Sequence, residues 1–195
     1  LNLRYLEALA NYYAAPEDVT VCKTVAGWTD ALLTPEKNFN PPLQVLLVNA
    51  RSHSVGGDAS SAFVALARLY DACRVAMAAA SGPAPKAIDA QVLAPAVTLV
   101  ESTLKANGSK LVDDARRSAA RLVAARGRFA HLYPAVQERV REQLTAAGDK
   151  RTVARAAFDW FDAAVKLDPS HADYYYGRGY SCDLRNDMSY AQRAA

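Results

Sequence analysis

The amino-acid sequence predicts an all-α protein, a bundle or array of antiparallel helices that ends in helical hairpins. Alanine has the highest helix propensity, and it accounts for 40 of the 195 residues, whereas glycine and proline account for 9 each. Apolar residues recur three and four positions apart along several segments, which is the spacing of one helix face, and no series of segments shows the alternation typical of strands. With 51% hydrophobic and 22% charged residues, the composition is that of a soluble globular protein with a sizeable core.

The first region, residues 1–108, is predicted to be a series of helices and is not assigned to a family. A helix over residues 3–14 ends at Pro16, and a second helix begins with Pro16 and the two acids after it, since negative charge is favourable at a helix N-terminus. The run LQVLLVNARSH is ambiguous, because a short apolar run is compatible with a buried strand as well as with a helix.

Turn-forming residues divide the rest of this region. The stretch SVGGD interrupts the chain, and either Asp58 or Ser60 is predicted to cap the long helix that follows. The stretch SGPAP ends that helix, and a further helix is expected over residues 86–106.

The second region, residues 109–195, begins with a regular helical pattern. Side chains spaced four and three residues apart predict a single buried stripe made of Leu111, Ala115, Ser118, Leu122, Ala125, Phe129 and Leu132. The helix that carries them is expected to break near Pro134, and the next helix is expected to stop at Gly148.

The carboxyl-terminal stretch carries a set of residue types at regular spacings. The set consists of Ala157, Phe161, Ala164, Pro169, Tyr175, Gly179 and Ala191. Its first three members lie on one helix face, and Ala191 stands 34 residues after Ala157. In these features roughly residues 150–195 resemble a tetratricopeptide repeat (TPR), whose period is 34 residues.

The resemblance implies TPR-like helical hairpins, in which Phe161 fills the space between paired helices and Pro169 ends the second helix of a repeat. It also implies that Gly179 permits close contact with the helix that follows. The helix upstream of residue 150 matches poorly, because Arg141 and Gly148 stand where the family has aromatic residues. Since stacked repeats bury their faces only against neighbours, and the second repeat is cut short, we expect a fragment of a larger protein.

The resemblance further implies a binding surface. In TPR proteins the first helix of each repeat lines a concave groove that binds peptide segments, and here that helix covers about residues 172–183. Four of its residues share one face, namely Asp173, Tyr176, Tyr180 and Asp183. Because two of them are acids, a basic or hydrophobic segment is expected rather than a terminal carboxylate. The predicted function is a protein–protein interaction module, a scaffold or adaptor.

Two alternatives concern other partners. Between Lys105 and Arg155 the chain holds 12 basic and 5 acidic residues, and Arg117, Arg121 and Arg128 form a stripe that could bind anions such as nucleic-acid phosphates. No aromatic residue interleaves with these arginines to stack on bases, so a solvated face is expected and a nucleic-acid partner is not. Self-association through the cut end of the repeats is the other alternative.

Enzyme and cofactor signals are weak. The spacing of His53, His131 and His171 does not fit a metal site, and VGGD lacks the lysine and the spacing of a phosphate-binding loop. We therefore expect no catalytic residues, no metal and no cofactor.

The compartment is predicted from what the sequence lacks. No apolar run approaches the roughly 18 residues that span a bilayer, and LNLRYLEALA does not have the features of a signal peptide. Three widely spaced cysteines argue against a disulfide framework. These features predict a cytoplasmic protein with no membrane partner.

Overall fold

The computed structural model describes residues 3–34, 41–107 and 112–183. Of these residues 84% are helical and none is in a strand, which confirms the all-α prediction. The elements are α1 (Leu3–Ala14), α2 (Val19–Leu32), α3 (Leu43–Val55), α4 (Ala59–Ala79), α5 (Ala84–Ile88), a π-helical turn (Asp89–Leu93), α6 (Ala94–Asn107), α7 (Asp113–Leu132), α8 (Pro134–Ala146), α9 (Val153–Leu167) and α10 (Ala172–Asp183).

Local chemistry sets several helix boundaries. The side chain of Asp58 accepts a hydrogen bond from the Ser61 backbone N–H at 3.0 Å and so caps α4. Asp18 caps α2 in the same way, so Pro16 lies in the turn before the helix, and not in its first turn as the sequence suggested. Gly148 ends the turn after α8 with a φ of 65°, a conformation that glycine adopts without steric cost.

The ambiguous run LQVLLVNARSH is helical and lies in α3. This helix packs against α2 on one side and α4 on the other, so it buries residues on more than one face. That arrangement explains why its sequence lacks a clear helical stripe. Among its buried residues is Asn49, whose side-chain N–H groups donate to Thr29 Oγ1 at 2.7 Å and to Asp30 Oδ1 at 2.9 Å.

The main hydrophobic core runs through both regions predicted from the sequence. One cluster of buried side chains includes Phe63 and Leu66 from α4, Val97 from α6, Leu122 from α7 and Val136 from α8. The long helix α7 contributes most of the stripe predicted for it. Two members of that stripe are not buried: Ser118 is only partly buried, and Leu132 is 63% exposed at the end of the helix. Leu111 lies outside the described residues.

The carboxyl-terminal helices form a separate packing layer. Helix α9 packs mainly against α7 and α10, and less against α8, which precedes it in the chain. Phe161 of α9 is buried and lies between Gly127 of α7 and Gly177 of α10. A Cβ atom at Gly177 would lie 2.3 Å from the Phe161 ring, and one at Gly127 would lie 2.9 Å from it.

The structure distinguishes residues in α10 that the sequence pattern did not. The tyrosine buried in this helix is Tyr174, which is 2% exposed, whereas Tyr175, the tyrosine of the repeat-like set, is only partly buried. The Tyr175 hydroxyl donates to the Pro169 carbonyl oxygen at 3.1 Å. The contact expected of Gly179, with a helix after residue 183, lies outside the described residues.

Candidate functional site

The outer surface of α10 presents two exposed tyrosines. Tyr176 is 77% exposed and Tyr180 is 44% exposed. They lie one helical turn apart, with ring centroids separated by 6.5 Å and ring planes 8° apart. We refer to Asp173, Tyr176 and Tyr180 as the tyrosine face. The fourth residue predicted for this site, Asp183, ends α10, and its side chain lies outside the described residues.

Contacts with α7 hold one edge of the tyrosine face in place. The ring of His131 meets the Tyr180 ring edge-on, with centroids 5.2 Å apart, and its Nε2 lies 2.8 Å from Ser181 Oγ. The Ser181 hydroxyl donates its single proton to the Gly177 carbonyl oxygen at 2.8 Å. In the hydrogen bond between His131 and Ser181, the donor is therefore His131 Nε2, which carries the proton. Burial lowers the pKa of His131, which keeps this imidazole neutral.

An ion pair joins the two sets of candidate residues. Asp173 of the predicted peptide-binding set and Arg128 of the predicted anion-binding set lie 3.3 Å apart, both partly exposed. The structure thus brings Arg128 next to the tyrosine face, a neighbourhood that the sequence did not predict. Arg128 and Asp173 are 45 positions apart in the sequence, and no periodic pattern indicates that their side chains meet.

The rest of the arginine stripe is partly neutralised. Arg117 pairs with Asp114, one turn earlier on the same helix. Arg121 is exposed and has no ion-pair partner within the described ranges. A stripe in which two of three arginines already face carboxylates attracts phosphates less than three unpaired arginines would.

A fourth arginine of α7, Arg126, has a structural role. It pairs with the fully buried Asp89 of the π-helical turn at 3.4 Å and lies over the Trp160 ring at 4.5 Å from its centroid. Burial raises the pKa of Asp89, and Arg126 opposes that shift. This pair connects the π-helical turn to α7, and it is largely withdrawn from solvent because the Arg126 side chain is only 11% exposed.

A groove lies away from both sets of candidate residues. Its volume is about 700 Å³, it runs between α3 and α6, and the end of α1 and the α1–α2 turn also line it. Sequence reasoning missed this groove, because its wall on α3 comes from the run whose secondary structure was ambiguous. A helical interpretation of that run would have placed Gln44, Leu47, Val48, Arg51 and Val55 on one face.

Within residues 3–34, 41–107 and 112–183, no cluster of three or more histidine, cysteine, aspartate or glutamate side chains could hold a metal ion. His53 Nε2 lies 3.0 Å from Asp30 Oδ1, which ties α3 to α2. Cys73 is fully buried, and burial raises the pKa of its thiol to about 12.

Comparison with protein-family models, curated proteins and solved structures gives no significant match to this chain. The similarity of residues 150–195 to a tetratricopeptide repeat therefore stays a prediction from residue spacing. In the part of the chain that the structure describes, no helix is long and apolar enough to cross a membrane.

Proposed function

We propose that the protein is a protein–protein interaction module that binds a peptide-like segment of its partner across the tyrosine face of α10. The observation that carries this proposal is the pair of exposed, parallel rings of Tyr176 and Tyr180 on a helix held against the protein body. Large aromatic side chains are enriched at binding hot spots, because they bury much area at a small cost in side-chain entropy.

The surroundings of the two rings define the segment that fits. The Asp173 side chain is 63% exposed and forms an ion pair with Arg128. The tyrosine face therefore offers both a carboxylate and a guanidinium group beside its aromatic rings. A basic or apolar side chain can lie against the rings, and a lysine or arginine can reach Asp173. The same features support the TPR-like interpretation, in which α10 is the first helix of a repeat.

A peptide-display experiment tests the proposal. The folded protein is panned against a random peptide library, and the affinity of enriched peptides is measured by fluorescence anisotropy. The Tyr176→Ala/Tyr180→Ala variant should bind these peptides at least tenfold more weakly, which corresponds to about 1.4 kcal/mol. Because both side chains are exposed, this variant should keep its stability within about 0.5 kcal/mol for each substitution.

The matched control is Tyr13→Ala, which removes a tyrosine 65% exposed on α1. Peptides that bind this control like the unaltered protein, and lose affinity for the double variant, support the proposal. Peptides that bind the double variant with undiminished affinity refute it. Capture of nuclease-sensitive material that is lost with Arg121→Gln would instead favour the anion-binding alternative.

A further inference from the structure

Hydrogen bonds bridge the two walls of the groove near both ends of α3. Near its start, the Gln44 side-chain amide donates to Gln91 Oε1 at 3.3 Å. Near its end, the Ser54 and Thr103 hydroxyl oxygens lie 2.8 Å apart. Thr103 donates its own proton to the Leu99 carbonyl oxygen at 2.7 Å, so Ser54 is the donor to Thr103. These two hydrogen bonds connect α3 to the π-helical turn and to α6 at two points along its length.

The size of the groove fits a small ligand. Its volume of about 700 Å³ lies in the range of roughly 300–1,000 Å³ typical of small-molecule sites. Its wall on α3 extends from Gln44 to Val55, a length of about 16 Å at about 1.5 Å per residue. The apolar side chains of Leu47 and Val48, about one turn from Arg51 on α3, and of Leu99 on α6 are part of the lining, so an apolar chain can be buried against them.

The secondary structure beside the groove is irregular. The π-helical turn Asp89–Leu93 interrupts the helical segment that begins at Ala84 and continues as α6, and it supplies Gln91 to the groove lining. π-helical turns occur frequently at functional sites, because the extra residue redirects side chains. Here the turn lies beside the groove between α3 and α6.

Charged and hydroxyl groups line the groove near α1 and the α1–α2 turn. Arg51 of α3 and the buried Tyr12 of α1 both line it, and Arg51 pairs with Glu17 of the α1–α2 turn. Burial raises the pKa of Tyr12 to about 12, so its hydroxyl keeps the proton and can donate it. Arg51 and Tyr12 are thus two hydrogen-bond donors in this part of the groove, and Glu17, whose side chain is 73% exposed, is the carboxylate that pairs with Arg51 in the described structure.

We propose that this groove binds a fatty acid, with its carboxylate on Arg51 and its hydrocarbon chain along Leu47, Val48 and Leu99. The carboxylate of Glu17 occupies the position that the ligand carboxylate would take, and its exposure lets it move into solvent when the ligand binds. A bidentate guanidinium–carboxylate pair with an added tyrosine hydroxyl suits a planar carboxylate. This site is separate from the tyrosine face and does not depend on the function proposed for it.

A fluorescence titration tests the proposal. cis-Parinaric acid serves as the probe, and dodecanoic acid and dodecanol, both below their aggregation concentrations, serve as competitors. Dodecanoic acid should displace the probe, whereas dodecanol, which has the same chain but no carboxylate, should displace it at least tenfold less well. Arg51→Gln should weaken dodecanoic acid binding at least tenfold and should remove its advantage over dodecanol.

Glu17→Gln gives the sharpest outcome, because it removes the internal competitor for Arg51. This variant should bind dodecanoic acid several-fold more tightly, a gain that a folding defect cannot produce. Arg68→Gln, which changes an exposed arginine on α4 outside this groove, is the control and should bind like the unaltered protein. Failure of the probe to bind, equal displacement by the acid and the alcohol, or unchanged affinity in both Arg51→Gln and Glu17→Gln would overturn the proposal.

Discussion

Replacing Gly177 by alanine tests how α10 packs on α9. The new Cβ atom would lie 2.3 Å from Cε1, 2.4 Å from Cζ and 2.7 Å from Cδ1 of Phe161. Carbon atoms in contact normally lie about 3.5–4.0 Å apart, so either the ring or the helix must move by more than 1 Å. The ring has little room to retreat, because Gly127 of α7 lies against its other edge, where a Cβ atom would already be 2.9 Å from Cε2.

Two opposing effects determine how much Gly177→Ala changes the free energy of unfolding. Alanine stabilises a helix interior by about 1 kcal/mol relative to glycine. Overpacking a well-packed core costs about 1–3 kcal/mol, and occasionally more. The clash involves three ring atoms, and the ring is confined on both sides. We therefore expect the free-energy cost of the clash to exceed the gain from the higher helix propensity of alanine. The expected net loss in the free energy of unfolding is about 2 kcal/mol, which lowers Tm by roughly 4–8 °C in a chain of this size.

The assay is urea denaturation followed by circular dichroism at 222 nm, with a matched glycine in the same helix as the control. A Cβ atom at Gly179 meets nothing within 4 Å in the described structure, so Gly179→Ala should be neutral or stabilise by up to about 1 kcal/mol. The Phe161→Leu/Gly177→Ala variant should be less destabilised than the sum of the single changes, because the smaller side chain leaves room for the methyl group.

Stabilisation by Gly177→Ala, equal in sign to that by Gly179→Ala, would refute this packing. Strict additivity of Phe161→Leu and Gly177→Ala would refute it as well. Either result would mean that α10 does not lie on the Phe161 ring, and the tyrosine face would then lose the scaffold on which its geometry depends.

Three further predictions concern single side chains. Asp58→Ala should cost about 1 kcal/mol of stability at pH 7, because α4 loses its cap. Hydrogen bonds from Ser61 lower the pKa of Asp58 below its ordinary value of 3.8. The cap therefore stabilises the fold fully above pH 3.8, and this stabilisation is lost as the pH falls through the lowered pKa. Urea denaturation should show that Asp58→Ala destabilises the protein less at pH 3 than at pH 7. Arg126→Met should cost about 3–5 kcal/mol at pH 7, because it leaves the Asp89 carboxylate buried without its closest ion-pair partner. The raised pKa of Asp89 means that its neutral form is favoured in the fold, so this cost should shrink towards pH 4, and a cost that stays constant with pH would contradict the pairing. Cys73, with a pKa of about 12, should react with a thiol reagent at pH 8 only as fast as the protein unfolds, whereas rapid labelling in native buffer would show that it is accessible.

Local signals in the sequence were enough to predict much of the fold. The cap at Asp58, the break at Pro134 and the stop at Gly148 each depend on chemistry within a few residues, and the structure has all three. Helical spacing also predicted that Tyr176 and Tyr180 share one face of α10, whereas the expectation that this face is accessible came from the resemblance to a tetratricopeptide repeat; both side chains are exposed. Their role in binding a partner stays a prediction.

Helix pairing could not be predicted in the same way. The repeat spacing singled out Gly179, but the glycine that lies against Phe161 is Gly177. Likewise, α9 packs mainly against α7, although α8 is its neighbour in the chain. These choices depend on the fit of side-chain shapes that are far apart in sequence, and a spacing pattern within one helix carries no information about that fit.

The sequence by itself determined that the chain is helical, where most helices begin and end, and which residues of α10 share a face, because propensity, capping and periodicity act over a few residues. Only the tertiary structure decided which glycines accommodate Phe161, that Arg128 meets Asp173, and that α3 and α6 enclose a groove lined by Arg51. Each of these features requires two segments separated by tens of residues to meet at a particular distance and angle, and the packing of the whole core sets that geometry.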